Sequence, residues 1–163
     1  EAKSMDKDMT VSRTLELAVE IERIGMKFYE RIAHKFEDNP EVARVFRDLA
    51  EDEKEHEKRF QVLLEEAGQD DPEAKREYER TDFLRAYAKS EFFRTPDLEE
   101  IESVETVADA LRIGIRLELR TILYYQGVRD EIGPSDLLDS AIAEEKGHFM
   151  LLQDELLRNI GGA

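Results

Sequence analysis

The sequence predicts an all-α protein: an antiparallel four-helix bundle of two helical hairpins, joined by a long crossover that contains a short helix. Three observations predict it. Charged residues make up 39% of the 163-residue chain, aliphatic residues supply most of the 40% that is hydrophobic, and there are only 4 prolines and 8 glycines, a mixture typical of long helices. Four long segments carry apolar residues at i, i+3, i+4 and i+7, the period of a helix with one buried face. The breaks between them are short, long and short, which pairs the first helix with the second and the third with the fourth. Residues 1–163 are expected to form one domain, long enough to bury a proper core.

The first helix is expected over about 11–37, with Leu15, Val19, Met26, Tyr29 and Ala33 on one face. Asp38-Asn39-Pro40 turns the chain, since Pro40 keeps Asn39 out of the α region and is itself suited to open a helix. The second helix is expected over 40–67, with Val42, Phe46, Leu49, Phe60 and Leu64 inward and Gly68 as its stop. Residues 69–103 read as the crossover: an acidic stretch, the short amphipathic segment FLRAYAKSEFF, and a break at Thr95-Pro96-Asp97. The third helix follows over about 104–130, aligning Val107, Leu111, Ile115, Ile122 and Tyr125. Gly133-Pro134-Ser135 turns the chain into a fourth helix over 135–160, aligning Leu138, Ala141 and Leu152. The hairpins look like copies of each other, offset by 96 residues in their first helices and 92 in their second. That likeness implies a pseudo-twofold.

Composition narrows the function. A net charge of -16 argues against partners such as nucleic acid or an anionic membrane and favours cations. The absence of cysteine excludes disulfides, iron–sulfur clusters and zinc–thiolate sites, so a metal would have to use Asp, Glu and His. No apolar run reaches membrane-spanning length and the start EAKSMDKDMT has no apolar signal core. The chain reads as cytoplasmic.

Each apolar stripe has a gap, and the gaps hold the chemistry. Between Leu49 and Phe60 the missing rungs are Glu53 and His56; between Ala141 and Leu152 they are Glu145 and His148. The rung between Val19 and Met26 is Glu22, and that between Ile115 and Ile122 is Glu118. Measured from the turns at Asn39 and Gly133, all six lie 12 to 17 residues away, roughly 18–25 Å along their helices. They converge near one level of the core. Left uncompensated, six ionisable groups in an apolar interior would cost several kcal/mol each. Four carboxylates and two neutral imidazoles carry a charge of minus four, which two divalent metals cancel. One Glu from each of two helices plus Glu-x-x-His from each of the others is the donor set of di-iron or di-manganese bundles, and the i, i+3 spacing keeps carboxylate and imidazole on one face. A single Glu-x-x-His is cheap among 40 acidic residues; the weight lies in two of them on the stripe, each opposite an inward Glu. The bland alternative is a metal-free buried network of Glu and His.

Tyr29 and Tyr125 each lie seven residues after an inward Glu, where a phenol could hydrogen-bond a ligand carboxylate or serve in radical or proton transfer; core packing is the alternative. His34 lies off the stripe and reads as a surface residue. Glu20, Asp52 and Glu144 adjoin the inward residues but read as solvated. Second apolar rows, Leu17, Ile21, Ile24, Phe28, Ile32 and Ile113, Leu117, Tyr124, Val128, need a cover, from the crossover or from a subunit interface. A homodimer or higher homo-oligomer is the expectation.

Through Glu22-x-x-Gly25-x-x-Phe28-Tyr29, Glu53-Lys54-Glu55-His56, Glu118 with Tyr124-Tyr125, and Glu145-Lys146-Gly147-His148, the chain resembles the rubrerythrin-like branch of the ferritin-like superfamily. The resemblance covers both hairpins and leaves 69–103 unaccounted for. It implies a ferritin-like bundle in which Glu22, Glu53, His56, Glu118, Glu145 and His148 bind two iron ions, with Glu53 and Glu145 bridging. The chain departs from the family in two places. It lacks the four cysteines of a rubredoxin-like iron site, so electrons would come from an external donor protein or from Fe(II) itself. The additional Glu three residues after the third-helix ligand is Thr121 here. Bacterioferritin is similar in its ligand set but carries a fifth helix for cage assembly, whereas Gly161-Gly162-Ala163 follows the fourth helix directly.

The expected function is a di-iron oxidoreductase that reduces hydrogen peroxide or O2, with peroxide as the favoured substrate. Two alternatives stay open: a ferroxidase or iron-handling protein, and a metal-free interaction bundle. Ligand type does not fix the metal, and manganese or a mixed pair would use the same donors.

Overall fold

The computed structural model describes residues 2–70, 101–132 and 135–161. Among them the protein is all-α, a ferritin-like bundle of four helices: α1 (Ala2–Lys35), α2 (Pro40–Asp70), α3 (Val107–Ile132) and α4 (Asp136–Gly161). α1 packs on α2 and α3 on α4 as two hairpins, and α1 also lies against α3. The expected short helix FLRAYAKSEFF and the Gly133-Pro134 turn fall outside the described residues.

Capping sets three of the helix starts. Asn39 caps α2, with its carbonyl accepting from Ala43 N at 2.9 Å and Oδ1 from Val42 N at 3.4 Å, and Pro40 takes the first helical position, where its missing N–H has no partner to lose. α3 begins at Val107 rather than about 104 because Thr106 and Asp109 form a reciprocal cap. Asp109 N donates to Thr106 Oγ1 at 3.1 Å and Thr106 N to Asp109 Oδ2 at 3.3 Å. Val104, left outside the helix, is buried in the core instead. Ser135 caps α4 by accepting from Leu138 N at 3.4 Å and Asp139 N at 2.9 Å. Two larger differences lengthen helices: α1 starts at Ala2, nine residues before the expected Val11, and α2 continues two residues past Gly68 to Asp70. Residues 2–10 contain no Gly or Pro to stop a helix, and a glycine late in a helix weakens it without ending it.

The core has two apolar layers. One gathers Phe28, Tyr29, Ile32, Phe46, Leu49, Leu111 and Leu152; the other gathers Leu15, Val19, Phe60, Tyr125, Leu138 and Ala141. Every helix passes from one layer to the other, and at the crossing each offers charge: Glu22, Glu53 with His56, Glu118, and Glu145 with His148, all buried. Much of the second apolar rows is covered within the chain, while Ile24, Leu117 and Tyr124 are half-buried. Leu17, Ile21, Phe28, Ile32 and Ile113 are buried in the single chain, and Leu17 and Ile21 pack against Tyr124 across the α1–α3 contact. No described helix is long and apolar enough to cross a membrane.

Candidate metal centre

Six residues predicted from gaps in the apolar stripes meet between the two layers. They form two groups whose donor atoms lie within 4.8 Å of one another: Glu22, Glu53, His56 and Glu145, and Glu53, Glu118, Glu145 and His148. Glu53 and Glu145 belong to both groups. Each group thus has one carboxylate of its own, one imidazole, and the same two carboxylates between them, a layout that could hold two cations side by side.

Both histidines turn Nδ1 inward. His56 Nδ1 lies 2.9 Å from Glu145 Oε1 and 3.3 Å from Glu22 Oε2. His148 Nδ1 lies 3.3 Å from Glu145 Oε2 and 3.5 Å from Glu53 Oε1. Glu145 therefore presents one oxygen to each imidazole. Neither of those oxygens, nor His148 Nδ1, makes a hydrogen bond of acceptable geometry among the described residues. Buried donors and acceptors are almost always paired, and these three orphans, divided between the two groups, suit cations that would take them. The donor set of oxygen and imidazole nitrogen suits iron, manganese or zinc, so the residues fit the group that their pattern implies.

The outward edges of the rings also have neighbours: Asp52 is exposed as expected, whereas Glu144, expected to be solvated, is half-buried and held by several partners. His56 Nε2 is 2.8 Å from Glu144 Oε2, and Glu144 in turn accepts from Arg59 and from Ser140 Oγ at 2.8 Å. His148 Nε2 is 3.4 Å from Asp52 Oδ2. Each outer carboxylate immediately precedes a shared Glu, about 100° around its helix, so it leaves its own helix's inward stripe yet reaches the histidine of the helix opposite. Arg59, three residues after His56, is the sequence signal that could have found Glu144. Glu20 is exposed and pairs with Arg23 at 3.4 Å, and His34 is exposed as expected.

The tyrosines bind the remaining carboxylates crosswise. Tyr29 of α1 donates to Glu118 of α3, and Tyr125 of α3 donates to Glu22 of α1. The two bonds run in opposite chain directions, which shows α1 and α3 to be antiparallel. Tyr29 packs edge-on against Phe28 and stacks on Phe46, while Tyr125 rests on Phe60.

Electrostatics in the metal-free site follow from burial and crowding. Burial first, then the neighbouring carboxylates, push Glu53 and Glu118 well above the usual carboxylate range. Burial also raises both tyrosines, reinforced by the glutamates beside them. For His56, burial opposes the charged form, but the close approach of the Glu145 and Glu22 carboxylates outweighs it and raises its pKa to about 10. Burial likewise works against ionised Glu145, yet the two histidines hold it below the ordinary range. A negative site without metal thus lowers its charge by retaining protons.

The model of the rubrerythrin family matches residues 13–156, most of the chain and both hairpins. The chain belongs to the rubrerythrin family. No curated protein and no solved structure matches it. Family membership agrees with the buried Glu and His clusters, which are compatible with the di-iron site typical of rubrerythrins. No rubredoxin domain is evident in the 163 residues.

A small cleft between α1 and α3 reaches this site. It is lined by Ile21, Gly25, Leu117 and Thr121 and ends on Tyr29, Glu53 and Glu118, with about 20 Å³ of room for the centres of water-sized molecules. That is enough for about one water-sized molecule. A Cβ on Gly25 would stand 3.2 Å from Glu53 Cδ, so the glycine gives the Glu53 carboxylate its place.

Proposed function

We propose that this protein is a di-iron oxidoreductase that reduces hydrogen peroxide, with O2 as the slower oxidant and an external protein as electron donor. The observation that carries the reading is the pair of four-donor groups sharing Glu53 and Glu145, with buried Glu145 oxygens that lack hydrogen bonds. Glu22 with His56 and Glu118 with His148 would each hold one iron ion, and Glu53 and Glu145 would bridge them. When bound, the two ferrous ions supply one electron each, so that one peroxide and two protons become two waters.

The chain's own residues have separable tasks. The two apolar layers shield the site from bulk water, and the cleft beside Gly25 and Thr121 offers a way in for a small neutral oxidant. Tyr29 and Tyr125 hold Glu118 and Glu22 in place through their hydroxyl protons, and those hydroxyls stand where a proton could pass to a carboxylate. Glu144 orients the His56 imidazole from behind, while Asp52 stands near the outer edge of His148. Four carboxylates would balance the charge of two divalent ions.

A ferroxidase or iron-handling role is the second reading, favoured by Thr121. Thr121 stands where rubrerythrins place an additional Glu, and its hydroxyl is occupied with Leu117 O at 3.1 Å. The test loads the protein anaerobically with Fe(II) and mixes it with peroxide or with O2 in stopped flow. Faster oxidation by peroxide that ends at two irons per chain supports the peroxide reductase. Equal or faster oxidation by O2, continuing as Fe(II) is added, makes the protein a ferroxidase.

A further inference from the structure

The 92-residue offset between α2 and α4 gives every residue beside the site a counterpart. Glu53 corresponds to Glu145, His56 to His148, and the outer carboxylate Asp52 to Glu144. The residues that hold those outer carboxylates do not correspond in kind. Glu144 accepts hydrogen bonds from both terminal nitrogens of Arg59 and from Ser140 Oγ, besides its contact with His56. The counterparts of Arg59 and Ser140 are Leu151 and Asp48. Leucine has no donor, and a second carboxylate repels Asp52 where a hydroxyl would bind it. Asp52 accordingly stands 3.4 Å from His148 Nε2 with its side chain 61% exposed, and no other hydrogen bond or ion pair reaches it among the described residues.

An imidazole that binds a cation through Nδ1 carries its proton on Nε2, and a fixed acceptor opposite Nε2 selects that tautomer and ring orientation. His56 has such an acceptor; His148 faces an unanchored one. We propose that the two metal positions are inequivalent: Arg59, acting through Glu144, makes the His56 position the tighter and first filled, and the His148 position the exchangeable one. Arg59 is a positioning residue in this scheme. The proposal rests on the two-metal reading above.

Simple charge works in the other direction, since Arg59 brings a positive charge toward the His56 position while Asp48 and Asp52 lie nearer His148. These groups are exposed, and Asp48 is already paired with Arg44 at 3.5 Å, so water and salt screen their effect on a buried cation. Loss of a partner that orients a ligand, by contrast, typically costs about 10- to 100-fold in metal affinity. Orientation therefore wins.

The experiment titrates the full chain with Co(II) without oxygen, following ligand-field absorption and bound cobalt by equilibrium dialysis. The wild type should bind two ions in steps about 10-fold or more apart. His148→Ala should keep the tighter step and His56→Ala should lose it. Arg59→Leu, which gives α2 the residue of its counterpart, should weaken the tighter step about 10-fold and leave the weaker step and the helical content unchanged. Equal steps in the wild type, retention of the tighter step by His56→Ala, or no effect of Arg59→Leu overturns the inequivalence and leaves the two-metal reading standing. Fewer than two cobalt ions per wild-type chain overturns both.

Discussion

Tyr29 of α1 and Tyr125 of α3 each donate a hydrogen bond to the buried glutamate on the other's helix, Glu118 and Glu22. The crosswise pair ties the hairpins together at the level of the site. Tyr29→Phe keeps the ring packing against Phe28 and Phe46 but leaves Glu118 without its phenol donor. Metal affinity at the His148 position should fall about 10-fold while the His56 position is unaffected; Tyr125→Phe should do the reverse. Stepwise metal titration of both variants checks this, and equal effects of the two substitutions on both positions would contradict it.

Gly25→Ala separates folding from binding. Alanine favours a helix interior by about 0.5–1 kcal/mol, so the metal-free protein should melt no earlier than wild type. Its methyl, 3.2 Å from Glu53 Cδ, should push the shared carboxylate aside by a few tenths of an ångström and weaken both metal positions. A variant that binds two metals as tightly as wild type would show that the close approach has no role in placing Glu53.

Metal binding should strengthen with pH. His56, raised to about 10, and Glu53 and Glu118, raised well above the carboxylate range, hold protons near neutrality when no metal is present. A cation must displace those protons. In the metal-free protein the stabilisation from charged His56 is complete below about pH 6.5 and is lost as pH rises toward its folded pKa. Glu53 and Glu118 are ionised in the unfolded chain over the same window, which also favours unfolding as pH rises. The Tm of metal-free protein should therefore fall from about pH 6.5 to about pH 9, and the gap between metal-loaded and metal-free Tm should widen. A gap that narrows contradicts the protonation pattern.

Thr121→Glu places a further carboxylate in the cleft beside Glu53 and Glu118. If the missing family carboxylate is what tunes the oxidant, the ratio of peroxide to O2 oxidation rates should rise about 10-fold or more, a barrier change near 1.4 kcal/mol. An unchanged ratio would remove Thr121 from any account of substrate choice.

Much of this arrangement is legible from sequence because a helix repeats its apolar positions, and a charged residue on that repeat stands out. Glu22, Glu53, His56, Glu118, Glu145 and His148 are visible as interruptions, and the structure brings all six together. Periodicity says which residues face inward but not which neighbour they meet. Glu144 and Asp52 leave their own helices' stripes and still reach a histidine on the opposite helix. For the same reason, the second rows of α1 and α3 looked exposed until the two helices were seen to pack on each other. The start of α1 was hidden differently, since residues 2–10 are helical with only Ala2, Met5 and Met9 to mark an apolar repeat.

The central claim is that two metal ions sit side by side between Glu53 and Glu145, each with one histidine. Anomalous diffraction at the iron edge, on crystals of protein loaded anaerobically with Fe(II), tests it most directly. The account predicts two peaks in the core, one coordinated by Nδ1 of His56 and Glu22, the other by Nδ1 of His148 and Glu118. A single peak, peaks on surface carboxylates only, or coordination through the Nε2 atoms that face Glu144 and Asp52 would contradict it.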